Sequence, residues 1–315
     1  MDIVVRPLAE RDLPEADRIF RTAFGTFIGL PDPVTFMGDA DLIFSRWRAA
    51  PSDAIAAEVD GELAGSMFVA NWGSVGFFGP LTVRPEYWDR GVGRRLLDAT
   101  MEKFESWGTR YSGLFTFSNS PKHLFLYQKY GFHPRFLTAI MSRAATEHGD
   151  SMGWTRFSEL SDAEQRACLD ACRDLTGAIL EGLDVTIEVV ALHAQSLGDT
   201  ILVWEGSRLA AFAVCHCGPG SEGGSTVCYV KFGAARPGPV VGQSASFNRL
   251  LQAVETFAAR QGLQTVVAGA NAGRPEAYRQ MIARSYRADR VGVAMQHNND
   301  PGYNRPEAYI IDDWR

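Results

Sequence analysis

The feature that most constrains this chain is that a large part of it occurs twice. A shift of 154 positions carries Arg95-Leu96-Leu97 onto Arg249-Leu250-Leu251, Gly108 onto Gly262, Pro121 onto Pro275 and Met141 onto Met295, without a gap. A helix start, its glycine stop, a second helix start and a late strand thus keep one register. The period is too long for a solenoid, so the chain reads as two copies of one fold. With 315 residues, 46% of them hydrophobic, there is material for two cores. The small and polar stretch AATEHGDSMG, Ala144 to Gly153, separates the copies. That places a first domain at residues 1–145, a linker at 146–152 and a second domain at 153–315.

In the first copy, Ile3–Arg6 reads as a strand ended by Pro7, and Leu13, Ala16, Ile19, Phe20 and Ala23 share one face of a helix over Asp12–Phe24. A second helix is expected over Pro33–Ala49. Asp60-Gly61 between two apolar runs predicts a hairpin. A third run, SVGFFGPLTV, leads into a helix over Leu96–Trp107 stopped by Gly108, then the strand YSGLFTF, the helix PKHLFLYQKY closed by Gly131, and the strand FHPRFLTAIMSR. The second copy restarts with Arg156 in the place of Arg6 and with Gly206 at the hairpin position of Gly61, and RPEAYIIDDW near its end predicts one more strand.

Between the third strand and its helix lies VRPEYWDRGVGRRLL. A helix N-terminus has unpaired N–H groups and partial positive charge. Gly91 and Gly93 remove the side chains that would keep an anion from that backbone, and Arg90, Arg94 and Arg95 add positive potential. The pattern suits a phosphate or diphosphate. It is not a Walker loop, which closes on Lys-Ser/Thr, nor the dinucleotide fingerprint, whose third small residue is replaced by Leu96.

The run LTVRPEYWDRGVGRRLL, followed after a strand by LYQKYGF, resembles the GNAT superfamily of acyl-CoA-dependent N-acyltransferases. The likeness covers about Ile3 to Arg143. The family signature is Arg/Gln-x-x-Gly-x-Gly/Ala; Gly91 and Gly93 match it and Trp88 departs from it. The resemblance implies an α/β (α+β) chain of two tandem GNAT-like domains, each a mixed, mostly antiparallel sheet flanked by helices. It also implies that Leu81, Thr82 and Val83 flank the pantetheine arm in a splayed strand pair, that Arg90, Gly91, Val92, Gly93 and Arg94 bind the coenzyme diphosphate, and that Ser120 stands near the place of a coenzyme-contacting Asn. Tyr127, four residues before Gly131-Phe132, would protonate the departing thiolate.

Acyl transfer from a thioester to an amine needs an oxyanion donor, for which a strand N–H near Leu81 serves. It also needs a proton for the leaving sulfur, and a phenol, with an ordinary pKa of about 10, is protonated at neutral pH. An aromatic on an amphipathic helix is also ordinary core material, so Tyr127 has two readings. No general base is named by the sequence: Glu58 on the hairpin could act directly or through water, while Glu62, Glu86 and Asp89 read as solvated and His123 and His133 as surface or cap residues. The acceptor would be held by FGTFIGLPDPVTFMGDAD, whose Phe24, Phe27 and Phe36 stand beside Asp32, Asp39 and Asp41.

The second copy lacks these features. Tyr127 maps to Met281 and Gly131-Phe132 to Ser285-Tyr286, and the stretch before Arg249 carries Pro237 and Pro239 in place of amides a phosphate would need. It is expected to bind no coenzyme. Strand alternation puts Cys215 and Cys217 on one face and His216 on the other, and Cys228 adds no common zinc spacing, so no metal is expected. A net charge of -6 argues against a nucleic-acid partner, and no apolar run approaches the length of a membrane span. An odd count of five cysteines fits reduced thiols in the cytoplasm. The expectation is an N-acetyltransferase using acetyl-CoA on a small-molecule primary amine. The alternatives are a protein N-terminus or lysine as acceptor, and a non-catalytic acyl-CoA sensor or scaffold; the oligomeric state stays open.

Overall fold

The computed structural model describes residues 1–149 and 153–315; of the expected linker, 150–152 lie outside them. The first half contains β1 (Ile3–Pro7), α1 (Leu13–Phe27), α2 (Ile43–Ala49), β2 (Ala54–Val59), β3 (Glu62–Trp72), β4 (Val75–Val83), α3 (Val92–Trp107), β5 (Tyr111–Phe117), α4 (Pro121–Gln128) and β6 (Phe132–Ala144). The second contains β7 (Trp154–Arg156), α5 (Asp162–Ile179), α6 (Thr186–Gln195), β8 (Gly198–Glu205), β9 (Arg208–Gly218), β10 (Gly224–Ala235), α7 (Val240–Arg260), β11 (Thr265–Asn271), α8 (Pro275–Ala283), β12 (Arg287–His297) and β13 (Ile310–Ile311). The expected strand in RPEAYIIDDW is β13. The element order of the two halves matches, as the 154-residue shift requires.

The helix expected over Pro33–Ala49 does not form as one piece. A 3-10 turn spans Pro33–Thr35 and the α-helix begins only at Ile43. Met37 and Gly38 have φ of 66° and 56°, which ends a right-handed helix. Arg21 gathers the carbonyls this break strands, donating to Phe36, Gly38 and Ala40 oxygens at 2.8, 2.7 and 2.8 Å. The Asp60-Gly61 hairpin forms as expected, with both residues at positive φ, 52° and 86°.

All strands join one 13-stranded sheet in the order β1-β2-β3-β4-β5-β12-β6-β11-β10-β9-β8-β7, with β13 beside β10. Pairing is mostly antiparallel; β4–β5 and β10–β11 are parallel. The halves exchange their last long strands: β12 of the second half lies between β5 and β6, and β6 of the first half lies between β12 and β11. Both unions are long, Gly113–Phe117 against Gly292–Gln296 and Thr138–Ala144 against Thr265–Asn271. α3 and α7 pack on one face, around Leu96, Leu97 and Met67 and around Phe247, Leu250 and Val230. α1, α2, α5 and α6 pack on the other, around Ile19, Ile43 and Phe68 and around Leu175, Val189 and Phe232. Among the described residues, no helix is long and apolar enough to cross a membrane.

Candidate active site

β4 and β5 pair only from Val75↔Tyr111 to Phe78↔Leu114 and then part. On its other edge β4 shifts register against β3 between Val69↔Phe78 and Met67↔Leu81, so one extra residue bulges there. β5 cannot follow β4, because β12 grips its far edge as far as Phe117. The edge of β4 facing the gap, through Leu81, Thr82 and Val83, is therefore left without a strand partner. Leu81 and Val83 turn their side chains toward α3, and Thr82 is buried and bonded through Oγ1 to Ser66 Oγ at 2.9 Å.

At the wide end of this gap α3 begins. Gly91 is its N-cap, at φ 89°, a conformation that favours glycine. No side chain caps the helix and no acidic residue sits in its first turn. The amides of Val92, Gly93 and Arg94 thus have no partner within the helix. Arg90, Arg94 and Arg95 are exposed and form no ion pair among the described residues. Gly93 has no conformational need to be glycine: a Cβ there would meet only Leu81 Cδ2 at 3.7 Å and Val83 Cγ2 at 3.9 Å, ordinary contacts. Trp88, the departure from the family signature, spends its indole N–H on Val83 O at 2.8 Å and ties the turn to β4.

α4 lines the gap from the α3 side. Ser120 is its buried N-cap, accepting from the His123 amide at 3.5 Å. Tyr127 is buried, its ring 5.7 Å from that of Phe78, the last residue of β4 that pairs with β5. Burial pushes its phenol well above the usual tyrosine range, and its hydroxyl has no partner among the described residues. Tyr130, by contrast, donates to Asp98 Oδ1 at 2.6 Å. His123 is half-buried rather than a surface residue, between Phe27 and Phe117 at 4.9 and 6.5 Å, and burial first, then Lys122, lowers its pKa.

The opposite face of the sheet at the bulge carries a buried ionic group that sequence reasoning missed. Arg46 of α2 donates to Gly79 O at 2.7 Å and pairs with Glu222 at 2.6 Å. Lys231 joins Glu222 at 2.6 Å to Glu188 at 3.1 Å, and Trp72 Nε1 donates to Glu188 at 2.9 Å. Burial disfavours the charge on Glu222, but Arg46 and Lys231 outweigh it and hold the carboxyl well below the usual range. Beside them His216 has both ring nitrogens buried without a partner, and burial pushes its pKa down to about 4. Cys215 and Cys228 lie in the core under α7, on the other face from His216.

Several residues considered for acceptor or base roles are otherwise engaged. Glu58 pairs with Arg6 at 2.6 Å. Asp39 accepts from the Ser225 amide at 3.0 Å and Asp41 from the Phe44 amide at 2.9 Å. Phe24, Phe27 and Phe36 do form an aromatic wall with Phe117, with ring separations of 6.0 Å from Phe24 and 4.8 Å from Phe27.

Residues 18–132 match the Acetyltransferase (GNAT) family. No curated protein sequence matches the chain. Among solved structures, a Pyrococcus horikoshii protein assigned as an acetyltransferase superposes with a TM-score of 0.69 at 13% identity, covering 99% of this chain and 95% of the other. A GCN5-related N-acetyltransferase from Sphaerobacter thermophilus gives 0.57 at 17% identity, covering 93% and 95%. A tandem GNAT protein from the clavulanic acid biosynthesis pathway gives 0.55 at 12% identity, covering 94% and 98%. At such identities the likeness to these structures is one of fold.

Proposed function

We propose, from the match of residues 18–132 to the GNAT acetyltransferase family, that the first half of the chain transfers an acetyl group from acetyl-CoA to the primary amine of a small molecule, while the second half binds no coenzyme. The observation that carries this reading is the uncapped N-terminus of α3, set at the wide end of the β4–β5 gap. The amides of Val92, Gly93 and Arg94 bind the diphosphate, aided by Arg90 and the Arg94 side chain. The pantetheine arm runs along the free edge of Leu81–Val83, near Ser120. The thioester lies at the bulge, where a strand N–H near Leu81 polarises its carbonyl.

The amine nitrogen attacks that carbonyl, the C–N bond forms and the C–S bond breaks. Tyr127 gives its proton to the sulfur, and the proton lost by the amine restores the phenol through solvent. Burial disfavours phenolate, so the group stays a donor throughout the physiological pH range. Arg46, bonded to Gly79 O, fixes the peptide at the bulge. Five free cysteines fit a cytoplasmic location.

The test is release of free thiol from acetyl-CoA over a panel of primary amines. Wild type should turn over at least one of them and be stabilised thermally by acetyl-CoA. Tyr127→Phe should keep that stabilisation and lose about 100-fold in kcat. Absence of stabilisation in wild type would remove the coenzyme site; an undiminished rate in the variant would remove Tyr127 from the chemistry.

A further inference from the structure

Among the described residues, Arg290 is a charged side chain near Arg315 that makes no hydrogen bond or ion pair. It stands on β12, where the strand shifts register between Ala288 and Arg290, two residues beyond the Gly292↔Phe117 pair that ends β5. Ala294 packs into the cluster that holds Phe77 and Trp314, and alternation sets Gly292 and Arg290 on that same face. Gly292 has the Phe115 ring 2.2 Å from where a Cβ would be, which confirms the orientation.

The buried charges around it are paired. Arg46 and Lys231 answer Glu222 and Glu188. Arg315 answers Asp313 at 3.2 Å and lies 3.9 Å over the Tyr229 ring. Asp313 is further occupied by the Tyr229 hydroxyl at 2.9 Å and the Arg315 amide at 3.1 Å. Arg290 forms no hydrogen bond or ion pair among the described residues. It is exposed, yet protein crowds it: burial first, then repulsion from Arg315, lowers its pKa against attraction from Asp289 and Asp313.

The link to the transfer centre runs through Arg315, whose backbone oxygen accepts from the same Arg46 guanidinium that holds Gly79 O. The Trp314 carbonyl oxygen lies 3.7 Å from where a Gly79 Cβ would be. Phe117, across from Gly292, carries the aromatic wall of Phe24 and Phe27. An amine approaching the bulge from this face therefore passes an apolar wall and a spare guanidinium.

We infer that Arg290, beside Arg315, recognises an anionic group on the acceptor, so that the substrate is a primary amine bearing a carboxylate or a phosphate. A guanidinium offers two parallel N–H donors that match either group. The inference rests on the acyl-transfer reading above. It also means that the second half, which supplies Arg290 and Arg315, selects the substrate of the first.

Thiol release from acetyl-CoA is compared within matched pairs: phosphoethanolamine against ethanolamine, and 4-aminobutyrate against butylamine. The anionic member of at least one pair should be favoured 10-fold or more in kcat/KM, and the pair tells phosphate from carboxylate. Arg290→Gln should bring that ratio near unity, and Arg290→Lys should restore part of it. No preference in either pair, or a preference unchanged in Arg290→Gln, overturns the inference. A second measurement needs no turnover. In Gly93→Arg protein, whose diphosphate loop is blocked, inorganic phosphate or acetate should raise the melting temperature, and adding Arg290→Gln should cancel the rise. Equal rises with and without Arg290→Gln refute the anion site. Failure of acetyl-CoA to stabilise wild type refutes the coenzyme reading instead.

Discussion

In the first half β4 leaves β5 after Phe78↔Leu114; in the second, β10 leaves β11 after Val230↔Ala268. Both strands also bulge against their outer partners at the parting, β4 between Phe78 and Leu81 and β10 between Val230 and Phe232. From there the two gaps differ. In the second half, chain fills the gap: Ile310 and Ile311 pair with Ala234 and Gly233 on one side, and the Asp312 amide donates to Gly269 O at 3.1 Å on the other. Arg274, almost fully buried, anchors the insert through Asp312 at 2.6 Å. The helix after the gap differs as well. The 154-residue shift carries Val92 to Ser246, but α7 already begins at Val240 behind Pro239, so helix stands where the first half has its glycine turn. Parted strands leave backbone donors and acceptors that must find partners. The second half finds them within its own chain, and the first leaves them to a ligand or to solvent.

If the insert completes the second half, truncating it there should cost stability and create no site. Ile311 is fully buried between β10 and the α7 core. Ile311→Ala should destabilise the protein by about 2–5 kcal/mol, the range for buried large-to-small changes, as read by urea unfolding. Acetyl-CoA stabilisation should persist, since it arises in the other gap. A loss below the range would mean that the insert is a loosely held cover.

The ionic group behind the first gap has His216 beside it, and acid should expose that burial. Above pH 6.5 His216 is neutral in both the folded and unfolded chain. As pH falls from 6.5 toward the folded value of about 4, the unfolded chain takes up the proton first, and stability is lost. The total is about 3 kcal/mol. Glu222, held at low pKa by Arg46 and Lys231, adds a loss in the same direction at lower pH. Urea unfolding at pH 7 and pH 4.5 should show His216→Gln falling less steeply than wild type; parallel falls would assign the acid sensitivity elsewhere.

How much of this could be read beforehand depends on the range of the interaction. YSGLFTF forms β5 over Tyr111–Phe117, and the shift lands its copy on β11, Thr265–Asn271, residue for residue. Alternation and turn glycines are local signals. The positions of Gly91, Gly93, Ser120 and Tyr127 on their elements were legible for the same reason. The strand exchange was not: FHPRFLTAIMSR is equally a strand in either sheet, and nothing in its period names its neighbours. The Arg46–Glu222 pair joins a short helix to a turn far along the chain, and each residue alone reads as surface. Pro33–Ala49 misled because its apolar spacing is helical, while Met37 and Gly38 break it and Arg21 makes the break tolerable.

Within the glycine turn itself two substitutions separate backbone need from ligand need, and here the expected effects are smaller. Gly91 sits at φ 89° with nothing within 4 Å of a Cβ. Gly91→Ala should cost about 1–2 kcal/mol for the left-handed backbone alone, visible in thermal unfolding without any ligand.

Gly93 should behave in the opposite way. It is inside α3, at ordinary helical φ, where an added Cβ makes only the contacts at 3.7 and 3.9 Å. Glycine in a helix is destabilising relative to alanine, so Gly93→Ala should raise the stability of the ligand-free protein by about 0.5–1 kcal/mol. The family signature admits alanine at this position, so acetyl-CoA should stabilise the variant about as much as it stabilises wild type, whereas the long side chain of Gly93→Arg should abolish that response. Both readings come from melting curves taken with and without acetyl-CoA. Gly262, reached by the same shift from Gly108, lies at φ 70°, so its alanine variant should only lose stability. A Gly93→Arg protein that kept its full response to acetyl-CoA would leave the turn without the ligand that the rest of it implies.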